Sequence, residues 1–104
     1  MIRHIVLLKA RPEVTEAQIQ AIFAGLQALR LPGILAIHSG RSESPEQIER
    51  GYLHGFTVDF ADWDSLATYQ AHPDHKRVGA ALVAAAQGGL DGILVFDLPI
   101  ASQP

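Results

Sequence analysis

The sequence predicts an α+β domain of the ferredoxin-like type, in which helices pack on one face of a four-stranded antiparallel sheet. The first observation is the order of the periodic segments, which is β-α-β-β-α-β along the chain. The second is the length of 104 residues, which suits one domain. The third is a break in the second helix at His72-Pro73, because a residue before proline disfavours the α conformation. We expect residues 1–100 to form the domain and residues 101–104 to form a short tail.

The first strand is predicted over residues 2–10 (IRHIVLLKA). Its inner and outer side chains alternate, with His4, Val6 and Leu8 on one face and Ile5 and Leu7 on the other. Apolar groups on both faces indicate a strand that is covered on both sides.

The first helix is predicted to begin after Thr15, which forms a capping box with Gln18. Its buried stripe follows at helical spacing and consists of Ile19, Ile22, Phe23, Leu26 and Leu29. Pro32-Gly33 ends this helix, since Gly33 tolerates a positive φ.

Two strands follow, over residues 34–41 and residues 52–60, joined by a polar and exposed connection over residues 42–51 that can hold a helical turn. The third strand alternates well. One of its faces carries Tyr52, His54, Phe56, Val58 and Phe60. Thr57 and Asp59 lie on the other face.

The second helix is predicted in two parts. Asp62 caps a short helix that carries Trp63, Leu66 and Tyr69 at three-residue spacing. Pro73 suits the first position of the next helix. The buried side of this helix is predicted to consist of Val78, Ala81, Leu82 and Ala85. Gly88-Gly89 ends the helix, and residues 92–98 form the last strand.

Composition excludes several classes of protein. The net charge of −3 and pI near 5.9 leave no basic surface for nucleic acid or for an anionic membrane. The absence of cysteine excludes disulfides, iron–sulfur clusters and thiol catalysis, and it fits a cytoplasmic location. The N-terminal segment does not have the pattern of a signal peptide. No apolar run approaches the roughly 20 residues that a membrane-spanning helix needs.

The apolar content predicts a partner subunit. Apolar residues make up 48% of the chain and charged residues 18%, against a typical charged share of about a quarter. The helices cover one face of the sheet, yet the first and last strands are apolar on both faces. We therefore expect a homodimer that forms through the free sheet face.

The segment from Tyr69 to His75 holds the candidate catalytic residues. His75 lies in the first turn of a helix, where the partial positive charge lowers its pKa, while the neighbouring Asp74 acts in the opposite direction. A neutral His75 could remove a proton α to a carbonyl group, and Tyr69 could hydrogen-bond the resulting enolate. The alternative roles are structural. His75 would then cap or pack the helix, Tyr69 would be a core residue, and His72 would be the N-cap.

His4 and His54 both lie on strand faces that otherwise carry large apolar groups, so each needs a polar partner. If the two faces are adjacent, the histidines form a polar spot in an apolar cleft that binds a substrate, with Phe56 as a further contact. The alternative is two satisfied core histidines. His38 is expected to be exposed. No metal site is predicted, because the usual spacing of histidine and carboxylate ligands is absent.

These residues also carry a family resemblance. The chain resembles the stress-responsive α/β-barrel domain family, a branch of the dimeric α+β barrel superfamily. The shared features are HIVLLK from His4, Gly51-Tyr-x-His54, Tyr69-x-x-His72-Pro73-x-His75, and the closing strand ILVFD. The resemblance spans nearly the whole chain.

The resemblance implies that the sheets of two subunits wrap into a barrel with the helices outside, and that a cleft lies between each sheet and its helices. One plant branch of the family closes a polyketide ring by an aldol condensation without a cofactor. In that branch the histidine matching His75 acts as a base and the tyrosine matching Tyr69 assists. The histidines matching His4 and His54 line the cleft.

Two functions from different classes follow. The first is a cofactor-independent cyclase or isomerase that acts on a small hydrophobic carbonyl compound. The second is a non-catalytic dimeric protein that binds a small molecule or responds to stress. The wider superfamily also contains cofactor-free monooxygenases and haem-handling proteins, but no individual residue of this sequence favours them. The cleft must be open for catalysis, so filling by Phe56 or Trp63 would count against the enzyme.

Overall fold

The computed structural model describes residues 1–101, and it has the predicted ferredoxin-like fold. Its elements are β1 (Ile2–Leu8), α1 (Glu16–Gln27), β2 (Ile34–Arg41), β3 (His54–Phe60), α2 (Trp63–Ala71), α3 (Pro73–Ala85) and β4 (Ile93–Pro99). A short 3-10 turn, Gly89–Gly92, precedes β4. The strands form one antiparallel sheet in the order β2-β3-β1-β4. Residues 102–104 of the predicted tail lie outside the described residues.

The core lies between the helices and one face of the sheet. Along β1 burial alternates, so that Ile2, His4, Val6 and Leu8 are buried and the residues between them are only half-buried. The helices supply the facing layer. Its buried side chains include Ile19, Phe23 and Leu26 of α1, Leu66 and Tyr69 of α2, and Leu82 of α3. This arrangement follows from a period of two in the strand and of 3.6 in each helix.

The predicted capping box is present at the start of α1. The Thr15 hydroxyl accepts a hydrogen bond from the Gln18 backbone N–H at 3.2 Å, and the Gln18 side chain accepts one from the Thr15 N–H at 2.8 Å. Two backbone donors are thereby satisfied reciprocally.

The break between α2 and α3 also has the predicted form. His72 is extended (φ −74°, ψ 138°), and its Nδ1 accepts a hydrogen bond from the Asp74 backbone N–H at 3.1 Å. Pro73 occupies the first turn of α3, where its missing N–H costs nothing. His72 therefore caps α3, the helix that carries His75 in its first turn.

Several boundaries differ from the prediction, among them that of the last strand, which runs over Ile93–Pro99 rather than residues 92–98 because Gly92 belongs to the 3-10 turn. β1 ends at Leu8 rather than at Ala10, because the Lys9 N–H donates to the Gly92 carbonyl group while the Lys9 carbonyl group accepts from the Gln87 N–H, outside the neighbouring strands. The same contacts end α3 at Ala85, before the glycine pair. β3 begins at His54 rather than at residue 52, because the backbone N–H groups of Tyr52 and Leu53 donate to the carbonyl groups of Glu49 and Gly51 in the preceding turn.

Trp63 lies outside the core although it shares the spacing of Leu66 and Tyr69. Its side chain is 54% exposed, whereas Leu66 and Tyr69 are buried. Trp63 is the first residue of α2, at the N-terminal end of the helix. It therefore does not fill any cleft under the helices.

The face of the sheet away from the helices is apolar and largely uncovered. Leu94, Phe96 and Leu98 of β4 are 43%, 55% and 42% exposed. In the register of the sheet, Leu94 pairs with Leu7 and Phe96 pairs with Ile5. We call this surface the outer sheet face; it consists of Ile5, Leu7, Leu94, Phe96 and Leu98.

Candidate active site

A cleft of about 240 Å³ lies between α3 and the inner face of the sheet. Its polar lining residues are His4, Tyr69, Gln70 and His75. Its apolar lining residues are Val6, Phe56, Ile93 and Val95 on the sheet, Val78, Leu82 and Val83 on α3, and Leu90 at the turn before β4. Gly79 of α3 also lines it. Such a combination of apolar walls and a few convergent polar groups is typical of small-molecule sites.

His75 lies in the first turn of α3, half-buried in the cleft. Its Nδ1 lies 3.2 Å from the carbonyl oxygen of Gln70. A carbonyl only accepts, so Nδ1 carries the proton and donates, and the neutral ring has its lone pair on Nε2. Burial lowers the pKa of His75 from its ordinary value of 6.5. Near pH 7 the ring is therefore neutral and able to accept a proton.

The sequence suggested that Asp74 would raise the pKa of His75, but Asp74 is not among the groups that influence this pKa. Its carboxylate accepts a hydrogen bond from Arg77 at 2.9 Å and lies 3.7 Å from His72 Nδ1. Asp74 is therefore engaged with groups outside the cleft, and desolvation by burial is the largest influence on the pKa of His75.

Tyr69 is fully buried at the floor of the cleft, and its ring centroid lies 4.3 Å from that of His75. Within residues 1–101, its hydroxyl is the one buried side-chain polar atom that has no hydrogen-bond partner. Burial raises the pKa of Tyr69 to about 12. The hydroxyl therefore stays protonated at neutral pH and is available as a donor, at a desolvation cost of about 1–3 kcal/mol while it is unpaired.

His4 adjoins the same aromatic cluster. Its ring lies edge-on to Tyr69 at 5.9 Å and 6.5 Å from the ring of Phe56, which lines the cleft. His4 Nδ1 lies 2.6 Å from Asp97 Oδ1. An ionised carboxylate can only accept, so His4 donates from Nδ1, and the hydrogen bond fixes the orientation of the ring.

The structure does not bring His54 to this cleft. His54 and His4 lie on the same face of paired strands, but His4 is opposite Val58, four residues along β3 from His54. Four strand residues span about 13 Å. His54 instead lies beside a second, more open depression of about 280 Å³, which is formed mainly by β2 and β3.

His54 has its own carboxylate partner. Its Nε2 lies 2.6 Å from Glu16 Oε1, and Arg41 donates to the same oxygen at 2.7 Å. These two hydrogen bonds lower the pKa of Glu16 from its ordinary value. The cluster joins the start of α1 to the adjacent ends of β2 and β3, as a buried imidazole requires a partner.

Sequence reasoning missed Asp97 and Gly79. Asp97 stands in an otherwise apolar last strand, and it pairs directly with His4 in the antiparallel register. A search for the partner that a buried His4 needs could have found it. The position of Gly79 could not be inferred from the sequence, because a glycine inside a helix does not indicate whether a cleft lies beside it.

Within residues 1–101, no group of three or more histidine, aspartate or glutamate side chains is placed to hold a metal ion. In the same part of the chain, no helix is both long and apolar enough to cross a membrane.

Comparison with known proteins places the chain in a family. The model of the stress responsive A/B barrel domain matches residues 2–100. The stress-response A/B barrel domain-containing protein HS1 of Arabidopsis thaliana is 29% identical over 98 residues, which are 92% of this chain and 86% of HS1. Olivetolic acid cyclase of Cannabis sativa is 29% identical over 80 residues, which are 75% of this chain and 79% of the cyclase.

A solved structure agrees with the fold. A dimeric ferredoxin-like protein of unknown function from Jannaschia sp. CCS1 has 37% sequence identity and a TM-score of 0.89, covering 95% of this chain and 98% of that one. Since the family model spans nearly the whole chain and the fold agrees, this protein belongs to the stress responsive A/B barrel domain family.

Proposed function

We propose that this protein is a cofactor-independent enzyme of the cyclase or isomerase type, which removes a proton α to the carbonyl group of a small hydrophobic compound. The observation that carries the proposal is that two complementary groups line one cleft. They are the Tyr69 hydroxyl, which has no hydrogen-bond partner, and a neutral His75 whose Nε2 holds the lone pair. The first is a donor without an acceptor, and the second is an acceptor in the same apolar cleft.

In this mechanism the substrate carbonyl oxygen accepts a hydrogen bond from Tyr69. The α C–H bond breaks, its proton moves to His75 Nε2, and its electron pair forms the enolate, which Tyr69 continues to stabilise. In an isomerase, His75 returns the proton to another carbon. In a cyclase, the α carbon attacks a second carbonyl carbon, and the new alkoxide takes back the proton that His75 holds. Neither outcome needs an oxidant or a reductant.

His4 and Phe56 are proposed to contact the substrate. Phe56 offers an apolar wall, and His4, whose ring orientation is fixed by the hydrogen bond from Nδ1 to Asp97, offers Nε2 as a hydrogen-bonding atom. Olivetolic acid cyclase is, by its name, a cyclase, and its similarity to this chain supports the reaction class without supplying the substrate.

A non-catalytic binding protein is the second candidate, and the complete burial of Tyr69 favours it. The side chain of Tyr69 is 0% exposed, as expected of a residue that packs in the core. A ligand could contact its hydroxyl only at the floor of the cleft. The same cleft would then bind a hydrophobic molecule without changing it.

Proton exchange separates the two candidates. The protein is incubated in deuterium oxide with the neutral ketones benzylacetone and methyl pentyl ketone, and deuterium incorporation α to the carbonyl is followed by NMR. We expect His75→Gln to lower the exchange rate by about 10²-fold or more, since general bases contribute that much. His72→Asn is the matched control, because it removes a nearby imidazole outside the cleft and keeps a good N-cap.

The outcomes are distinct. Exchange that depends on His75 and survives His72→Asn supports the enzyme. Ketone binding at the cleft with equal exchange in the wild type and His75→Gln overturns the enzyme and supports the binding protein. Exchange lost equally in both variants would assign the effect to the fold of the helix break and overturn the role of His75.

We also propose that the protein is a homodimer joined through the outer sheet face. The exposed Leu94, Phe96 and Leu98 form a contiguous apolar strip that a second copy would bury. The structure from Jannaschia sp., which is described as dimeric, supports this assembly. A cytoplasmic location, for which the absence of cysteine is the support, stays a prediction.

A further inference from the structure

Gly79 occupies an unusual position for a glycine. It lies in the interior of the 13-residue helix α3, where glycine is less favourable than alanine by about 1 kcal/mol. Its φ is not in the left-handed region that favours glycine, so the backbone does not require glycine there. Apart from its chain neighbours and the backbone of its own helix, a Cβ atom built on Gly79 would have no heavy atom within 4 Å, so close packing does not require glycine either.

The room in front of Gly79 is the cleft. The side of α3 that lines the cleft comprises His75, Val78, Gly79, Leu82 and Val83, a set with i, i+3, i+4, i+7 and i+8 spacing. Gly79 lies one helical turn from His75, near the centre of this stripe. A side chain at position 79 would therefore extend into the cleft beside the proposed base.

The charge of the lining constrains the ligand. Over the described residues 1–101, the lining contains no lysine, arginine, aspartate or glutamate. A carboxylate or phosphate in this cleft would lose its hydration and meet no cation, which is costly. An uncharged ligand meets no such penalty.

The size of the cleft constrains the ligand further. Its 240 Å³ exceeds the roughly 150 Å³ of a cavity that binds benzene, and it falls just below the range of about 300–1,000 Å³ for drug-sized sites. One aromatic ring or one short alkyl chain fills such a space beside the reacting carbonyl.

We infer that Gly79 determines the specificity of the cleft by leaving room for the apolar tail of an uncharged carbonyl compound, a conclusion that rests on the proposed function. The carbonyl group lies at Tyr69 and His75, and the tail crosses α3 at Gly79 between Val78 and Val83. The width at this point decides whether the tail is an aromatic ring or a slim chain.

Binding measured by calorimetry tests the inference without relying on turnover. The wild type is titrated with benzylacetone, methyl pentyl ketone and hydrocinnamate, the last of which replaces the methyl ketone of benzylacetone with a carboxylate. Gly79→Ala should lower the affinity for benzylacetone relative to methyl pentyl ketone by about 10-fold, the effect of one methyl group in an apolar pocket. Gly79→Leu should abolish binding of both ketones.

Gly25→Ala is the matched control. Gly25 lies inside α1, outside the cleft, and its Cβ would make only an ordinary contact with Val78 at 3.9 Å. We expect it to leave both affinities unchanged. Gly79→Ala and Gly25→Ala should each raise Tm, because both replace a helical glycine without a clash.

Each result decides the inference. A Tm below wild type in Gly79→Ala would mean that the space is not open. Unchanged ketone affinities in Gly79→Leu, hydrocinnamate binding as tight as benzylacetone, or no binding of either ketone by the wild type would also overturn it. A shifted preference in Gly79→Ala together with equal proton exchange in wild type and His75→Gln would uphold the role of Gly79 and overturn the proposed catalysis alone.

Discussion

At the scale of single residues, the cleft is distinguished by one group that lacks the partner expected of it. The Tyr69 hydroxyl is buried without a hydrogen bond, whereas the other buried polar side chains, His4, His54 and Asp59, each pair with an ion. Native proteins leave few buried polar groups unpaired. The contrast marks the Tyr69 hydroxyl as the group left free to bind a ligand, whereas His54 is paired and lies outside the cleft.

Tyr69→Phe should separate stability from function. The substitution removes a hydroxyl that makes no hydrogen bond in the fold, so the free energy of unfolding should stay the same or rise by about 1 kcal/mol. Proton exchange and ketone affinity should fall, because the oxygen of the ligand loses its donor. Urea denaturation and the exchange assay measure the two effects. A loss of more than 1 kcal/mol in stability would show that the hydroxyl has a partner within the fold.

The pH dependence of exchange follows from two shifted groups. Burial lowers the pKa of His75 below 6.5, so activity should fall in acid only below that value, as the base becomes protonated. Tyr69, with a pKa of about 12, should cause no loss up to pH 10.0, where an ordinary tyrosine ionises. A pH–rate profile with an acidic limb centred above 6.5, or with an alkaline limb below 10.0, would contradict these assignments.

The lowered pKa of His75 also determines how its contribution to folding stability changes with pH. Because the folded His75 binds a proton less readily than the unfolded one, the unfolded state takes up more protons as the pH falls below 6.5. The contribution of His75 to stability is therefore unchanged above this pH and declines as the pH drops towards its folded pKa.

At the scale of elements, the cleft depends on how α3 is held at its two ends. His72 and Pro73 fix the first turn, which carries His75. The other end stops at Ala85, because the Gln87 N–H donates to the Lys9 carbonyl group and the Lys9 N–H donates to the Gly92 carbonyl group. This junction joins β1, α3 and β4 around the cleft.

Gly92→Ala should disrupt that junction. A Cβ at this position would lie 2.5 Å from the Gln87 carbonyl oxygen and 2.9 Å from the Lys9 carbonyl oxygen, and these backbone atoms cannot move aside cheaply. We expect a loss of about 1–3 kcal/mol in unfolding free energy, the usual cost of overpacking, measured by urea denaturation. Gly25→Ala has no such clash and should not destabilise the protein. Equal stabilities for the two variants would refute this account of the junction.

At the scale of the whole molecule, the outer sheet face is a contiguous apolar surface that the fold leaves uncovered. Phe96 and Trp63 are almost equally exposed, at 55% and 54%, but only Phe96 lies on this face. Substitutions at these two positions can therefore distinguish a specific interface from a general effect of exposed apolar side chains.

Phe96→Glu should convert the proposed dimer to a monomer, because a carboxylate at the centre of an apolar interface is desolvated without a partner. Trp63→Glu should leave the dimer intact, since Trp63 is at the start of α2. Sedimentation at micromolar concentration measures both. A wild type that sediments as a monomer would remove the dimer proposal, and dissociation by Trp63→Glu would place the interface elsewhere.

Local patterns in the sequence determined the order of the elements, the capping box at Thr15, the helix break at Pro73 and the exact bounds of β2, because each depends on neighbouring residues. They also brought Tyr69 and His75 together, since the two flank one helix junction. The ends of β1 and α3 could not be predicted in this way, because Lys9 and Gln87 meet only in the folded chain.

Only the tertiary structure decided which distant residues share the cleft. It placed Asp97 on His4, 93 residues away in the chain, and it separated His54 from His4 by four residues of strand. It also left the Tyr69 hydroxyl unpaired and the space before Gly79 empty. Sheet register and the packing of α3 fix these features, and both arise from contacts between segments rather than from the pattern within any one of them.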